Sequence, residues 1–225
     1  MQQLLEGIQS FRQRVYPRHS TLFQQLSNAQ HPQALFITCA DSRVVPDLIT
    51  QSQPGDLFIC RTIGNLVPPH GDESGGVSAA IEYALEALNV PNIVVCGHSD
   101  CGAMKAVLQP EKVKDLPNTQ AWLRHADAAR HVIRHNYRAV PFDDLLPLLI
   151  EENVITQLDH LKTHPAVAAR LAKGTLQLFG LVYRIHSGEI TAYDAKSERF
   201  IPVESVLAHA TPRARLRLAT QKEVA

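Results

Sequence analysis

The sequence carries no excess of charge of either sign: 22 lysines and arginines face 22 aspartates and glutamates, for a formal net charge of zero. A balanced chain has no general electrostatic pull toward a polyanion, so nucleic acid is not an expected partner. Long apolar runs are missing as well, and no segment is predicted to span a bilayer. The Met1 start lacks the basic segment, apolar stretch and small-residue cleavage site of a secretory signal. Together these absences predict a soluble, cytoplasmic protein without a membrane partner. Low-complexity segments and long linkers are also lacking, and 225 residues can bury a substantial core, so one domain with terminal extensions is expected. Cysteine is scarce: Cys39, Cys60, Cys96 and Cys101 could formally make two disulfides. A chain of this size without a signal does not need such staples, so thiols or thiolates are expected.

What is present alternates between two hydrophobic periods. Leu4, Ile8, Phe11 and Val15 share one helical face and Leu22, Phe23 and Leu26 the next, with Pro17 between them. Residues 1–29 therefore read as a helical arm, packed on its own domain or on a neighbouring subunit. Residues 34–38, 56–60 and 92–96 are short apolar runs of the kind that become strands covered on both faces of a parallel sheet. The clearest helix between them places Val77, Ala80, Ile81, Ala84, Leu85 and Leu88 at helical spacing, with Asp72, Glu73 and Ser74 at its start and Pro91 past its end. Ile150, Val154, Leu158 and Leu161 form a later stripe, and Pro165 sets off a short helix. Residues 176–185 and 189–193, joined through Ser187 and Gly188, read as a hairpin whose first strand extends the sheet. The fold class expected is α/β: a mostly parallel central sheet flanked by helices, with the N-terminal helical arm and a C-terminal hairpin strand. The division is an arm over 1–29, a main α/β domain over 30–200 and a tail over 201–225, whose Arg213, Arg215 and Arg217 read as a solvated basic end.

Ligands of such sheets bind outside the carboxyl ends of the strands, and two polar clusters lie there. One is Cys39-Ala40-Asp41-Ser42-Arg43; the other is His98-Ser99-Asp100-Cys101-Gly102. Two thiolates and one imidazole are a zinc ligand set, and three protein ligands leave the fourth tetrahedral position open, as in catalytic sites. Taken singly, each of the three is more often an ordinary core residue. Together, in loops rich in Gly, Asp and Ser at two strand ends, they favour a metal. Cys60 and Cys96 lie inside apolar strands and are assigned to the core. Asp41 and Arg43, two residues apart, suit a charge-assisted carboxylate–guanidinium pair, whose plainer role would be a loop salt bridge.

The Cys39-x-Asp41-x-Arg43 motif, with Gly64-Asn65, Gly75-Gly76, Glu82-Tyr83 and Cys96-Gly97-His98-Ser99-x-Cys101-Gly102, resembles the motifs of β-class carbonic anhydrases. The resemblance runs from about the first helix to Tyr193-Asp194 and is nearest the bacterial cyanate-operon branch, with carboxysomal and plant members also similar. It implies one Zn2+ per subunit on Cys39, His98 and Cys101, and reversible hydration of carbon dioxide to bicarbonate by zinc-bound hydroxide. It implies Asp41 and Arg43 as the catalytic pair, with Asp41 accepting the hydroxide proton and Arg43 keeping Asp41 ionised and aimed. In some relatives the matching aspartate can itself ligate zinc and close the site. Zinc lowers its water's pKa to about 7 in a carbonic anhydrase of another class with three histidine ligands. Two thiolates would offset the metal's charge, so activity favoured at mildly alkaline pH is expected.

For the substrate, the resemblance implies a pocket of Gln30, Phe58, Ile63, Tyr83 and Gly102. In it the Gln30 amide and the Gly102 backbone N–H serve substrate oxygens, and the aromatic residues wall an apolar side. In relatives these residues come from the neighbouring subunit, so an obligate homodimer, paired or not into a tetramer, is expected. Arg61 and Tyr183 match two positions of a separate bicarbonate pocket found in a subgroup, but Phe36 stands where that pocket has tryptophan and lacks the indole donor. His70 stands where close relatives often have tyrosine and is a candidate for assisting proton release. Two other function classes fit the same residues. One is a hydrolase of carbon disulfide or a related heterocumulene on this fold, and the other a non-catalytic zinc or thiol redox protein.

Overall fold

The computed structural model describes residues 1–71 and 75–209. The helix-start residues Asp72, Glu73 and Ser74 and the basic residues Arg213, Arg215 and Arg217 lie outside the described residues.

A six-stranded sheet in the order β2-β1-β3-β4-β5-β6 organises the chain. Its strands are β1 (Ala34–Cys39), β2 (Leu57–Thr62), β3 (Asn92–His98), β4 (Gln177–Tyr183), β5 (Ile190–Asp194) and β6 (Arg199–Pro202). β2, β1, β3 and β4 run parallel, β5 pairs antiparallel with β4, and β6 pairs antiparallel with β5. All six residues of β1 are buried, as expected for a central strand covered on both faces. The expected hairpin is β4–β5, with β4 in register beside β3 over its whole length. β6 was not anticipated; it carries the sheet past residue 200, where the tail was expected to begin.

The helices are α1 (Gln2–Ser10), α2 (Ser20–Leu26), α3 (Pro46–Thr50), α4 (Gly76–Glu82), α5 (Gly102–Leu108), α6 (Pro117–Leu123), α7 (Asp127–Asn136), α8 (Phe142–Thr163), α9 (Pro165–Ala172) and α10 (Val203–His209). α4 continues through a wider turn over Tyr83–Ala87, and Val77, Ile81, Ala84 and Leu85 enter the core as their spacing predicts. α8 lies across β3 and β4, where glycines allow its close approach. A Cβ built on Gly97 would lie 2.9 Å from a Val154 methyl, and one on Gly180 2.8 Å from the other. Pro147 sits on the exposed side of α8, which begins eight residues before the stripe that marks it in the sequence.

Pro17 falls between two separate helices, as its position predicts, and His19 leaves the helical region at φ −115° and ψ 13° just before α2. Wider turns over 11–15 and tighter ones over 16–19 join α1 to α2, with Pro17 in a first-turn position where its missing N–H costs nothing. The arm buries none of its residues against its own domain. Leu4 is 66% and Ile8 64% exposed, and Phe11 and Val15 are exposed as well. Among the described residues, no helix is long and apolar enough to cross a membrane.

Candidate metal centre

The two polar clusters meet because β1 and β3 are parallel neighbours whose carboxyl ends lie side by side. Cys39 ends β1, His98 ends β3, and Cys101 precedes α5. Their ligand atoms all lie within 4.8 Å of one another and all three side chains are buried. The four cysteines are free, with no disulfide among them. Cys96 is fully buried, its thiol pushed up to about 12 by burial, and Cys60 packs partly buried against the core with its thiol also raised, as expected of core cysteines.

His98 is fully buried, and its Nδ1 lies 2.9 Å from the carbonyl of Ser99. That oxygen can only accept, so Nδ1 carries the hydrogen and Nε2 is left with a bare lone pair. Nε2 has no hydrogen-bond partner, a costly arrangement for a buried nitrogen that a cation would relieve. Ser99 is itself fixed by β4: its N–H donates to the Tyr183 carbonyl at 2.8 Å, and its hydroxyl accepts from the Ile185 N–H at 2.9 Å. Cys39 is drawn down to about 4, chiefly by the hydrogen bond from the Cys101 thiol and against the effect of burial, with help from the nearby His98 ring and from the backbone N–H groups of Asp41 and Gly64. The same contact with Cys39, together with burial, pushes Cys101 upward. A cation held by both sulfurs favours their deprotonated forms. The residues present therefore fit a zinc ion.

Beside these atoms Arg43 grips Asp41 with two parallel bonds, Nε to Oδ1 at 2.9 Å and Nη2 to Oδ2 at 2.8 Å, while the Arg43 backbone N–H donates to Oδ1 at 3.0 Å. The guanidinium holds the Asp41 carboxyl well below the usual carboxylate range. Asp41 Oδ2 lies 3.9 Å from His98 Nε2, so the carboxylate faces the ligand atoms.

The other expected site residues fall into separate groups. Gln30 and Tyr83 line a cavity of about 600 Å3 at the base of the arm with Phe23, Leu26, Gly55 and Leu88, and Phe58 packs on Tyr83 at a ring separation of 5.9 Å. None of the three ligand residues borders that cavity. Ile63 is exposed on the turn after β2, and Gly102 is the first residue of α5. Arg61 is committed elsewhere, donating to the carbonyls of Cys39 (3.2 Å), Asp41 (2.7 Å) and Val44 (2.7 Å). Phe36 is buried within β1, and Tyr183 pairs with His98 across β3 and β4. His70 is exposed; its N–H donates to Thr163 Oγ1 at 2.7 Å, and its ring stands edge-on to His164 at 5.7 Å. The cavity of about 370 Å3 that these two histidines line with Glu82 includes none of the three ligand residues.

Several supporting residues escaped the sequence reading. The Ile63–Val67 loop is tied down from behind by Trp122, whose Nε1 donates to the Ile63 carbonyl, and by Asn153, whose Nδ2 donates to the Gly64 carbonyl. Gln157 accepts from the Val67 N–H and donates to Asn153. Gly64 itself has φ +72°, and a Cβ there would lie 2.9 Å from Ala103 at the start of α5. Only glycine lets this turn press against α5 and present its N–H to Cys39. Buried Asn and Gln within the apolar α8 stripe were the available signal.

The carbonic anhydrase family model matches residues 34–190. A carbonic anhydrase of Synechocystis sp. is 48% identical over 206 residues, spanning 91% of this chain and 75% of that protein. The solved β-carbonic anhydrase CcaA superposes with a TM-score of 0.88 at 48% identity, covering 90% of this chain and 98% of that one. The chain belongs to the β-class carbonic anhydrases. It is accordingly an enzyme, a carbonate dehydratase. Tetrameric β-carbonic anhydrases of Sordaria macrospora share the fold at a TM-score of 0.77 and 27% identity, over 85% of this chain and 95% of theirs.

Proposed function

We propose that this β-class carbonic anhydrase hydrates carbon dioxide at one zinc ion per chain, held by Cys39, His98 and Cys101. The observation that carries this is the bare Nε2 of a fully buried His98, facing two sulfurs within 4.8 Å and flanked by an ionised carboxylate. Bound zinc would supply a Lewis acid that turns water into a nucleophile near neutral pH. Asp41, acceptor-only because Arg43 keeps it ionised, would accept a hydrogen bond from the attacking water and orient it. The product bicarbonate is met by the Gln30 amide and by the Gly102 N–H, which as the first of α5 has no acceptor within the helix. Phe58, Ile63 and Tyr83 form the apolar wall that suits carbon dioxide.

The Gln30, Phe58 and Tyr83 group belongs, in this reading, to the site of a neighbouring copy, and the exposed apolar arm is the surface that brings the copies together. The cavity at the base of the arm supports this, since it contains Gln30 and Tyr83 without the ligands. A homodimer is the smallest complete unit, and the tetrameric Sordaria relatives support pairing of dimers. Four free cysteines suit a reducing compartment, so the cytoplasm is the proposed location.

Equilibrium dialysis followed by elemental analysis tests the metal assignment. One zinc per chain is expected for the native protein, and a loss of affinity of about 100-fold or more for Cys101→Ser, since each ligand contributes heavily to a site of this kind. Equal zinc retention by the two proteins would refute it.

A further inference from the structure

Arg43 is held from two sides. Opposite its bidentate grip on Asp41, its Nη1 donates to Asp100 Oδ2 at 3.0 Å and its Nη2 reaches the Asp100 carbonyl at 3.4 Å. The other Asp100 oxygen takes the Lys105 ammonium. Four alternating charges thus run in a row, Lys105, Asp100, Arg43, Asp41, ending 3.9 Å from His98 Nε2. The row is built into the ligand turn itself. Asp100 lies between His98 and Cys101 at φ +60°, a left-handed conformation that aspartate tolerates, and Lys105 stands on α5, which begins immediately after Cys101.

We propose that Asp100 and Lys105 are positioning residues that anchor Arg43 and so keep the Asp41 carboxylate on the guanidinium and off the metal position. This rests on the zinc and Asp41–Arg43 reading above. A carboxylate so near a ligand atom is a competitor for the open fourth position as well as a neighbour of it. With Arg43 pinned by Asp100, Asp41 can reach the metal only by abandoning two charge-assisted bonds at once. With Asp100 neutralised, Arg43 is free to travel with Asp41, and ligation of the metal by Asp41 becomes easier. An isolated exposed ion pair would contribute little, but this one bears on a bidentate contact fixed at both ends.

The test uses Asp100→Asn and Lys105→Met in the full chain, with Asp41→Asn and the double variant Asp41→Asn/Asp100→Asn as references. Carbon dioxide hydration is measured with zinc, and the visible spectrum is measured with cobalt(II) substituted for zinc. Asp100→Asn should lower kcat/KM about 3- to 30-fold, the range for weakening one charge-assisted contact away from the reacting atoms. It should also shift the cobalt spectrum toward carboxylate ligation. Lys105→Met should do the same more weakly, and it carries the test should Asp100→Asn fail to fold. The double variant should show the Asp41→Asn spectrum, because the shift requires the Asp41 carboxylate. Unchanged rate and spectrum in Asp100→Asn or, if it does not fold, in Lys105→Met, alongside a damaged Asp41→Asn, would overturn the anchoring alone. An undamaged Asp41→Asn would overturn the dyad reading beneath it.

Discussion

The Asp41 carboxyl is held far below the ordinary carboxylate value near 3.9 by its bonds from Arg43. A group depressed in this direction contributes its charge and its bonds above the unfolded value and loses them only as pH falls through the folded one. Across pH 6 to 9 Asp41 is therefore fully ionised, and under the proposed zinc reading any rise of rate with pH in that window is assigned to the metal-activated water. Asp41→Asn should lower kcat/KM about 10²- to 10³-fold, typical for removal of a positioned proton acceptor, while leaving the shape of the alkaline rise intact. A stopped-flow pH profile checks this, and a displaced rise in the variant would assign the titration to Asp41 instead. At this scale the sequence was informative where chemistry demands a residue type. Cys39, His98 and Cys101 stood out through their pairing at two strand ends, and Asp41 and Arg43 through spacing and family resemblance. Asp100 did not, because an acidic residue in a polar turn reads as solvated until the fold sets it against Arg43 from 57 positions away.

At the scale of elements, the site depends on how closely α8 approaches β3 and β4. Gly97 and Gly180 are where a side chain would collide with the Val154 methyls, and Gly97 directly precedes His98 of the candidate metal centre. Gly97→Ala and Gly180→Ala should each destabilise the protein by about 1–3 kcal/mol, the usual cost of overpacking a core, measured by urea unfolding. Stability within a few tenths of a kcal/mol of native would show that α8 yields without strain. The central strands were legible because buried parallel strands are short apolar runs, and β1, β2 and β3 fall within two residues or so of the predicted limits. β6 was missed because four residues of Arg-Phe-Ile-Pro at a sheet edge leave no alternation to read. α8 was read only in its second half, since residues 142–149 are apolar on nearly every side and Pro147 interrupts them.

The whole molecule is a sheet-and-helix body with an apolar arm whose base packs on it, Leu26 lying against Gly55, but whose first half does not. A stripe of Leu4, Ile8, Phe11 and Val15 left in water is better explained by a second copy than by a free helix, which would be marginal in isolation. Leu4→Asp/Ile8→Asp should shift the protein to monomer in light scattering and abolish most hydration, while zinc content stays near one per chain. Full activity from such a monomer would remove the need for a partner's Gln30 and Tyr83. The direction of the arm was not legible in the sequence, because periodicity marks an apolar face without saying what covers it. The most direct test of the account is stopped-flow carbon dioxide hydration at mildly alkaline pH, run on zinc-loaded native protein and on Cys101→Ser. Fast hydration in the first and its loss in the second is the predicted result. Absence of hydration in the native protein despite bound zinc, or its persistence in Cys101→Ser, would contradict it.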